Sequence, residues 1–206
     1  MEQQAMYKLT YGLYLVSTKD GGRDNGCITN TAMQITATEK PEIVISISKA
    51  NLTHDMVLKS RVFQLSAISE AATFSLFERF GYHSGRDTDK FAGFDGAYRD
   101  PASGCMALNA DLASATFACR VTETMDFPTH TLFRATVDEA YVLSDNVPCT
   151  YAYYQASIKP RPAAKTSDKP LWRCTVCGYE YEGEELPPDY ICPICKHPAS
   201  DFERVN

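Results

Sequence analysis

Residues 26–57 read GCITNTAMQITATEKPEIVISISKANLTHDMV, and the patterning inside this stretch decides the class of fold. EIVISIS, at 42–48, is rich in β-branched residues and alternates with period two, as a half-buried strand does. TEKPE, at 38–42, sets a proline in a polar run and reads as the turn before that strand. SKANLT, at 48–53, is polar and rich in hydroxyls, and a short helix is expected to start at Thr53 and carry Met56 and Val57.

The same grammar extends outward. LTYGLYLVS (9–17), VFQLSAI (62–68), ATFACRVT (115–122), TLFRATVDEAYVL (131–143) and CTYAYYQAS (149–157) read as strands, and KDGGRDNG (19–26) reads as a turn. One longer helix is expected at 69–80, SEAATFSLFERF, with Ser69 as N-cap, Gly81 past its end, and Ala72, Leu76 and Phe80 on one stripe. Many strands with few helices predict a mainly β fold. A closed antiparallel barrel is favoured because closure removes exposed edges, with a β-sandwich as the alternative.

The composition changes at 159–170, KPRPAAKTSDKP, which has three prolines, four basic residues and no large apolar side chain. It reads as a semi-extended linker between a domain at 1–158 and a small unit at 171–206. Those last 36 residues are too few to bury a sufficient core, so a metal cross-link is expected in them.

The whole chain of 206 residues has net charge −6, of which 171–206, with seven acidic and three basic side chains, holds −4. That balance argues against nucleic acid as a partner and suits docking to a basic protein surface. No apolar run reaches the roughly 20 residues of a membrane helix, so no membrane association is expected. The opening MEQQAMYKLT lacks the layout of an export signal, which makes the cytoplasm the expected location. Cys27, Cys105, Cys119 and Cys149 are widely scattered, and in a reducing compartment they are expected as buried thiols.

The other four cysteines form two Cys-x-x-Cys pairs, and Cys174, Cys177, Cys192 and Cys195 can complete one tetrahedral thiolate site. Spacing alone fits zinc or iron. Trp172, Tyr179, Tyr181, Tyr190 and Phe202 can build an apolar shell around the metal, and such a shell tunes a redox centre. Gly178 permits the positive φ of a metal knuckle, and Pro193 stiffens the second one.

Trp-x-Cys-x-x-Cys-Gly-Tyr-x-Tyr at 172–181, Pro-Pro-Asp-Tyr-x-Cys-Pro-x-Cys at 187–195 and the following Asp201-Phe202 resemble the rubredoxin family. That resemblance implies one iron on the four cysteines. Two departures stand out: a short loop between the pairs, and Lys196 where the second knuckle usually has glycine.

An iron centre needs a source of single electrons. Flavin is the usual converter from nicotinamide. Residues 26–57 resemble the flavin reductase family, the FMN-binding split barrel. The resemblance implies that Asn30, Thr31, Ala32, Met33 and Gln34, then Ser48, Lys49, Asn51 and Thr53, wrap the flavin and its phosphate. Lys49 would neutralise phosphate, while Ser48, Asn51, Thr53 and the N–H groups of the helix would donate to it.

HSGRDTDKF (83–91) is similar to a later loop of that family and nominates Lys90. THTLFRATVDEA (129–140) is similar to its histidine-bearing strand and nominates His130. Tyr153 and Tyr154 are further candidates beside the flavin, and Met33, Cys27, His54 and His83 could line the site or fill space. Gln34 and Ile35 stand where small hydroxyl residues are common.

The fusion of the two parts is similar to the high-molecular-weight rubredoxins of anaerobes. The fold this implies is a split β-barrel flavin domain plus a small iron-binding rubredoxin-like domain. The implied activity is transfer from NADH or NADPH to FMN, to iron, and to a flavodiiron protein that reduces nitric oxide or dioxygen; the split barrel also implies a homodimer. A flavin reductase that releases its reduced flavin and an FMN-binding module with a structural zinc ribbon are the alternatives.

Overall fold

The computed structural model describes residues 5, 8–160, 170–176, 178–193 and 197–205. The chain divides into two compact units, Met1–Lys159 and Pro160–Asn206.

In the first unit the chain makes β1 (Tyr14–Asp20), β2 (Arg23–Thr29), β3 (Ala32–Gln34), β4 (Glu42–Ser48), helix α1 (Leu52–Ser60) and β5 (Val62–Ile68). After them come the short helix α2 (Phe74–Phe77), a wider helical turn Glu78–Tyr82, a hairpin of β6 (Ala97–Arg99) and β7 (Met106–Leu108), and the long strands β8 (Ala113–Asp126) and β9 (His130–Val142). A last helical stretch begins with α3 (Tyr151–Tyr153). Seven strands form one antiparallel sheet in the order β2-β1-β5-β8-β9-β4-β3.

The sheet curls until its two ends meet. The residues that leave β2 lead straight into β3, and the junction is sealed at Thr31, whose carbonyl accepts from Ser46 N at 3.2 Å, and at Thr29, whose Oγ1 donates to the Ser46 carbonyl at 2.9 Å. The expected barrel is therefore present in a split form, joined at one seam by a main-chain bond and a side-chain bond instead of by a continuous ladder.

Inside the curl lie Val16, Ile45, Ile47, Phe63, Leu65 and Phe133 with Val57 of α1, all buried. Fully burying each such side chain contributes ~1.5–3 kcal/mol. Helix α1 is short because it ends at Arg61, whose φ of 60° is left-handed and whose N–H closes onto the Val57 carbonyl at 2.9 Å. A second cluster gathers Leu13, Leu15, Ile68, Leu76, Phe77, Phe80 and Tyr154.

Several expectations change. The turn 19–26 shrinks to Gly21 and Gly22, both with positive φ, and β2 begins at once with Arg23 paired to Asp20. Residues 69–80 are not one helix: Ser69 bridges Pro148 and donates its N–H to Leu112 O, and helical structure starts after Thr73. Gly81 lies inside the wider turn, not beyond it. The stretch 149–157 is not a strand but turns helical from Tyr151, because the Thr150 hydroxyl accepts from Tyr153 N at 3.1 Å and caps a turn whose Tyr154 packs inward.

The four scattered cysteines are all buried and free of disulfides. Burial raises the thiol pKa of each, that of Cys149 to about 11. Among the described residues no helix is long and apolar enough to cross a membrane.

The second unit is a three-stranded antiparallel sheet of β10 (Leu171–Cys174), β11 (Glu180–Glu182) and β12 (Phe202–Arg204), ordered β11-β10-β12.

Candidate functional site

In the second unit Cys174 and Cys192 are both fully buried and belong to one cluster with Phe202, against which Trp172, Val176, Tyr179, Tyr181, Leu186 and Tyr190 pack. The aromatic shell is interlocked: Tyr190 meets Tyr181 at 4.7 Å and Phe202 edge-on at 5.4 Å between ring centroids, and Trp172 Nε1 donates to Gly183 O at 3.2 Å. Around Cys174 the chain doubles back, with Cys174 N donating to Tyr179 O and Gly178 N to Cys174 O, both at 2.8 Å. Gly178 has φ +79°, the left-handed value a knuckle requires. Cys192 N donates to His197 O at 2.8 Å.

Two thiols drawn into one aromatic cluster, one of them at the start of a tight turn, fit a thiolate-bound metal. The other two expected ligands, Cys177 and Cys195, and the departure at Lys196 lie outside the described residues.

In the first unit the nominated residues gather along β3, β4 and β9. Ser48, the last residue of β4, pairs with His130, the first of β9. Lys49 N donates to Thr129 O at 3.0 Å, and Asn51 N closes the turn onto Ser48 O at 3.0 Å before α1 begins. Asn51 is the N-cap, and its side chain makes no capping bond, so the amide remains available outward. Ala32, Met33 and Gln34 are β3, the edge strand beyond β4, and Met33 is 61% exposed. Asn30 and Thr31 sit at the seam, with Thr31 Oγ1 donating to Asn30 Oδ1 at 3.0 Å. His130 is exposed, its Nδ1 lying 2.9 Å from Thr129 Oγ1.

This is a polar turn carrying a lysine and leading into a helix N-terminus, beside an edge strand that offers main-chain groups and apolar surface. It can hold an anion and lie against a planar ring.

Two nominated residues turn inward instead. Thr53 is buried and its Oγ1 accepts from Asn25 Nδ2 at 3.0 Å, so its main-chain N–H is what it can offer outward. Lys90 is 4% exposed, with Nζ donating to Gly26 O at 2.9 Å and Phe80 O at 3.0 Å, and burial lowers its pKa. It acts as a strut between β2 and the turn after α2. Tyr154 is buried with its hydroxyl 2.7 Å from that of Tyr82, Tyr153 packs beside it, Cys27 is buried, and His83 is exposed.

A model of the flavin reductase-like domain matches residues 6–160, and one of the rubrerythrin-type, rubredoxin-like domain matches 172–203. The chain belongs to the flavin reductase-like family. Within it, similarity to a high molecular weight rubredoxin of Moorella thermoacetica is 36% identity over the full length of both chains. A ferric-chelate reductase (NAD(P)H) of Archaeoglobus fulgidus is 35% identical over 79% of this chain and 96% of its own. Among solved structures, an FMN-binding protein from Thermus thermophilus superposes with a TM-score of 0.57 at 26% identity, covering 66% of this chain and 74% of that one.

In this flavin reductase-like domain the sequence reading missed Asp126. Its Oδ2 accepts from Lys49 Nζ at 2.7 Å. No local signal marks it: Asp126 ends β8, and it reaches Lys49 because β9 lies between β8 and β4.

Proposed function

We propose that the chain is an NAD(P)H-dependent electron-transfer flavo-rubredoxin that delivers single electrons to a partner protein. The observation that carries this reading is the burial of Cys174 and Cys192 in one aromatic cluster, in a chain whose other unit has the flavin reductase-like fold. When bound, FMN supplies the conversion of a hydride into single electrons, and an iron on four thiolates supplies a one-electron store.

Cys174, Cys177, Cys192 and Cys195 would hold the iron. Trp172, Tyr181, Tyr190 and Phe202 keep water from the two buried sulfurs. The 48–51 turn, with Lys49 and the first N–H groups of α1, would take the phosphate. β3 would lend main-chain groups to the ring, and His130 would stand at the polar end beside Ser48.

The relatives support the two halves of this reading: one carries rubredoxin in its name, another NAD(P)H reduction, and a structural neighbour FMN binding. Exposed Glu182, Glu184, Glu185 and Asp189 suit a basic docking face on the acceptor, for which a flavodiiron protein is the choice we favour. Exposed Met125 and Phe127 at the β8–β9 tip suit a second copy of the chain.

Anaerobic titration of the native protein with NADH and then NADPH, following flavin and iron bands separately, tests the proposal. Both bands are expected to bleach. Bleaching of flavin with an unchanged iron band would sink internal transfer, and a colourless, iron-free protein would leave a structural zinc ribbon in its place.

A further inference from the structure

A line of side chains crosses the first unit and ends at the Lys49 turn. Arg86, on the 83–91 loop, donates from Nη2 to Asp55 Oδ2 at 2.7 Å. Asp55 Oδ1 lies 2.9 Å from His54 Nδ1, and His54 Nε2 lies 2.8 Å from Thr131 Oγ1. Thr131 Oγ1 donates to Asp126 Oδ1 at 2.8 Å, and Asp126 Oδ2 accepts from Lys49 Nζ at 2.7 Å. His54 is 5% and Thr131 2% exposed, whereas both carboxylates reach solvent.

Counting protons along this line fixes the state of the ring. A threonine hydroxyl has one proton, and here it goes to the Asp126 carboxylate. Thr131 Oγ1 can therefore meet His54 only as an acceptor, which puts a proton on Nε2. The Asp55 carboxylate is also acceptor-only, which puts a proton on Nδ1.

Both carboxylates are held in their ionised form. The hydrogen bond from His54 and then that from Arg86 lower Asp55, while those from Lys49 and then Thr131 lower Asp126. Facing the His54 ring are Asp55 from its own helix and Asp126 from β8, with Arg86 and Lys49 behind them, and its other neighbour, Phe133 on β9, carries no charge. Five charges thus alternate in sign from Lys49 to Arg86.

We propose that His54 is a positioning residue: as an imidazolium it clamps the 83–91 loop, through Asp55 and Arg86, to the Lys49 turn, through Thr131 and Asp126. Removing one ring proton leaves a lone pair facing either Asp55 or the Thr131 oxygen. Either the ring then loses its bond to Asp55, or the Thr131 hydroxyl turns to donate to the ring and gives up Asp126; in both cases the line from Arg86 to Lys49 is interrupted. The consequence for an anionic cofactor at Lys49 rests on the FMN reading above; the clamp itself does not.

Long-range proton–nitrogen NMR on uniformly ¹⁵N-labelled protein, free of FMN and at neutral pH, tests the ring directly. Two protonated ring nitrogens are expected for His54, and a single N–H would overturn the clamp. Thr131→Val, which keeps the shape of the side chain, is expected to turn the ring neutral; an unchanged doubly protonated ring would also overturn it.

In His54→Gln, amide exchange is expected to rise together in 83–91 and 48–51 by about tenfold, the scale of one charge-assisted hydrogen bond. Exchange that rises in only one segment would refute the coupling. FMN affinity should fall by about tenfold in the same variant. If FMN fails to bind even the unaltered protein while the ring is doubly protonated, the cofactor reading falls and the clamp stands.

Discussion

The two units are stabilised by different means. In the first, strands far apart in sequence close a core of aliphatic and aromatic side chains around Phe63 and Phe133. In the second, the buried cluster among the described residues is Cys174, Cys192 and Phe202, so two of its three members are thiols of the Cys-x-x-Cys pairs. The first unit is a core with a candidate site along β3, β4 and β9. In the second, the candidate metal ligands themselves make up most of the buried cluster, in a segment too short for a large apolar core.

The largest test of that contrast is to remove a ligand. Cys174→Ser or Cys192→Ser is predicted to abolish iron binding and unfold the second unit, since metal binding supplies on the order of 10 kcal/mol to small metal domains. Visible absorbance and proteolysis of residues 171–206 would report the loss, while thermal unfolding of the first unit should not move. A second unit that stays protease-resistant without metal would break the comparison.

The opposite lesion is Phe63→Ala. It is predicted to cost the first unit ~3–5 kcal/mol in denaturant unfolding and leave the iron band unchanged.

Lys90→Met tests the buried strut. Gly26 O and Phe80 O lose their donor, at a predicted cost of ~1–3 kcal/mol. The same variant has a pH signature. Burial sets the folded pKa of Lys90 below its unfolded value, so in the alkaline window between the two the unfolded chain binds more protons and stability from this group rises with pH. Urea unfolding across that window should lose this rise in Lys90→Met.

The smallest effect is expected from Lys49→Ala, which should weaken FMN binding by about tenfold at low salt and by less as salt screens the phosphate. An unchanged affinity would move the phosphate away from the 48–51 turn.

How much was legible follows from what is local. EIVISIS and VFQLSAI were read with their observed bounds, because a short run of β-branched, aromatic and other apolar residues between turn signals marks a buried strand. CTYAYYQAS was misread, because a tyrosine run satisfies strand propensity equally well and only the Thr150 cap and the packing of Tyr154 select a helix. Ser69 looked like an N-cap, but it is held by Leu112 and Pro148, contacts that no window around Ser69 contains.

The site divides the same way. The cysteine turns and the 48–53 loop are written in consecutive residues, and the family likeness of those residues carried the rest. The inward turn of Lys90, the partner of Lys49 and the place of His54 depend on which strands lie side by side.

The pairing of β4 with β9 sets a schedule as well as a geometry. Ser48 meets His130 only after everything between them has been made and arranged, while the β1–β2 hairpin needs no more than its own two strands. Long-range pairings of this kind form late because loop closure is costly before the contact rewards it. On a ribosome, the Lys49 turn would therefore emerge early and wait for β9. Capture of a ligand at the Lys49 turn would then wait for β9, and a chain truncated before His130 would retain the nominated loop without the strand that completes it.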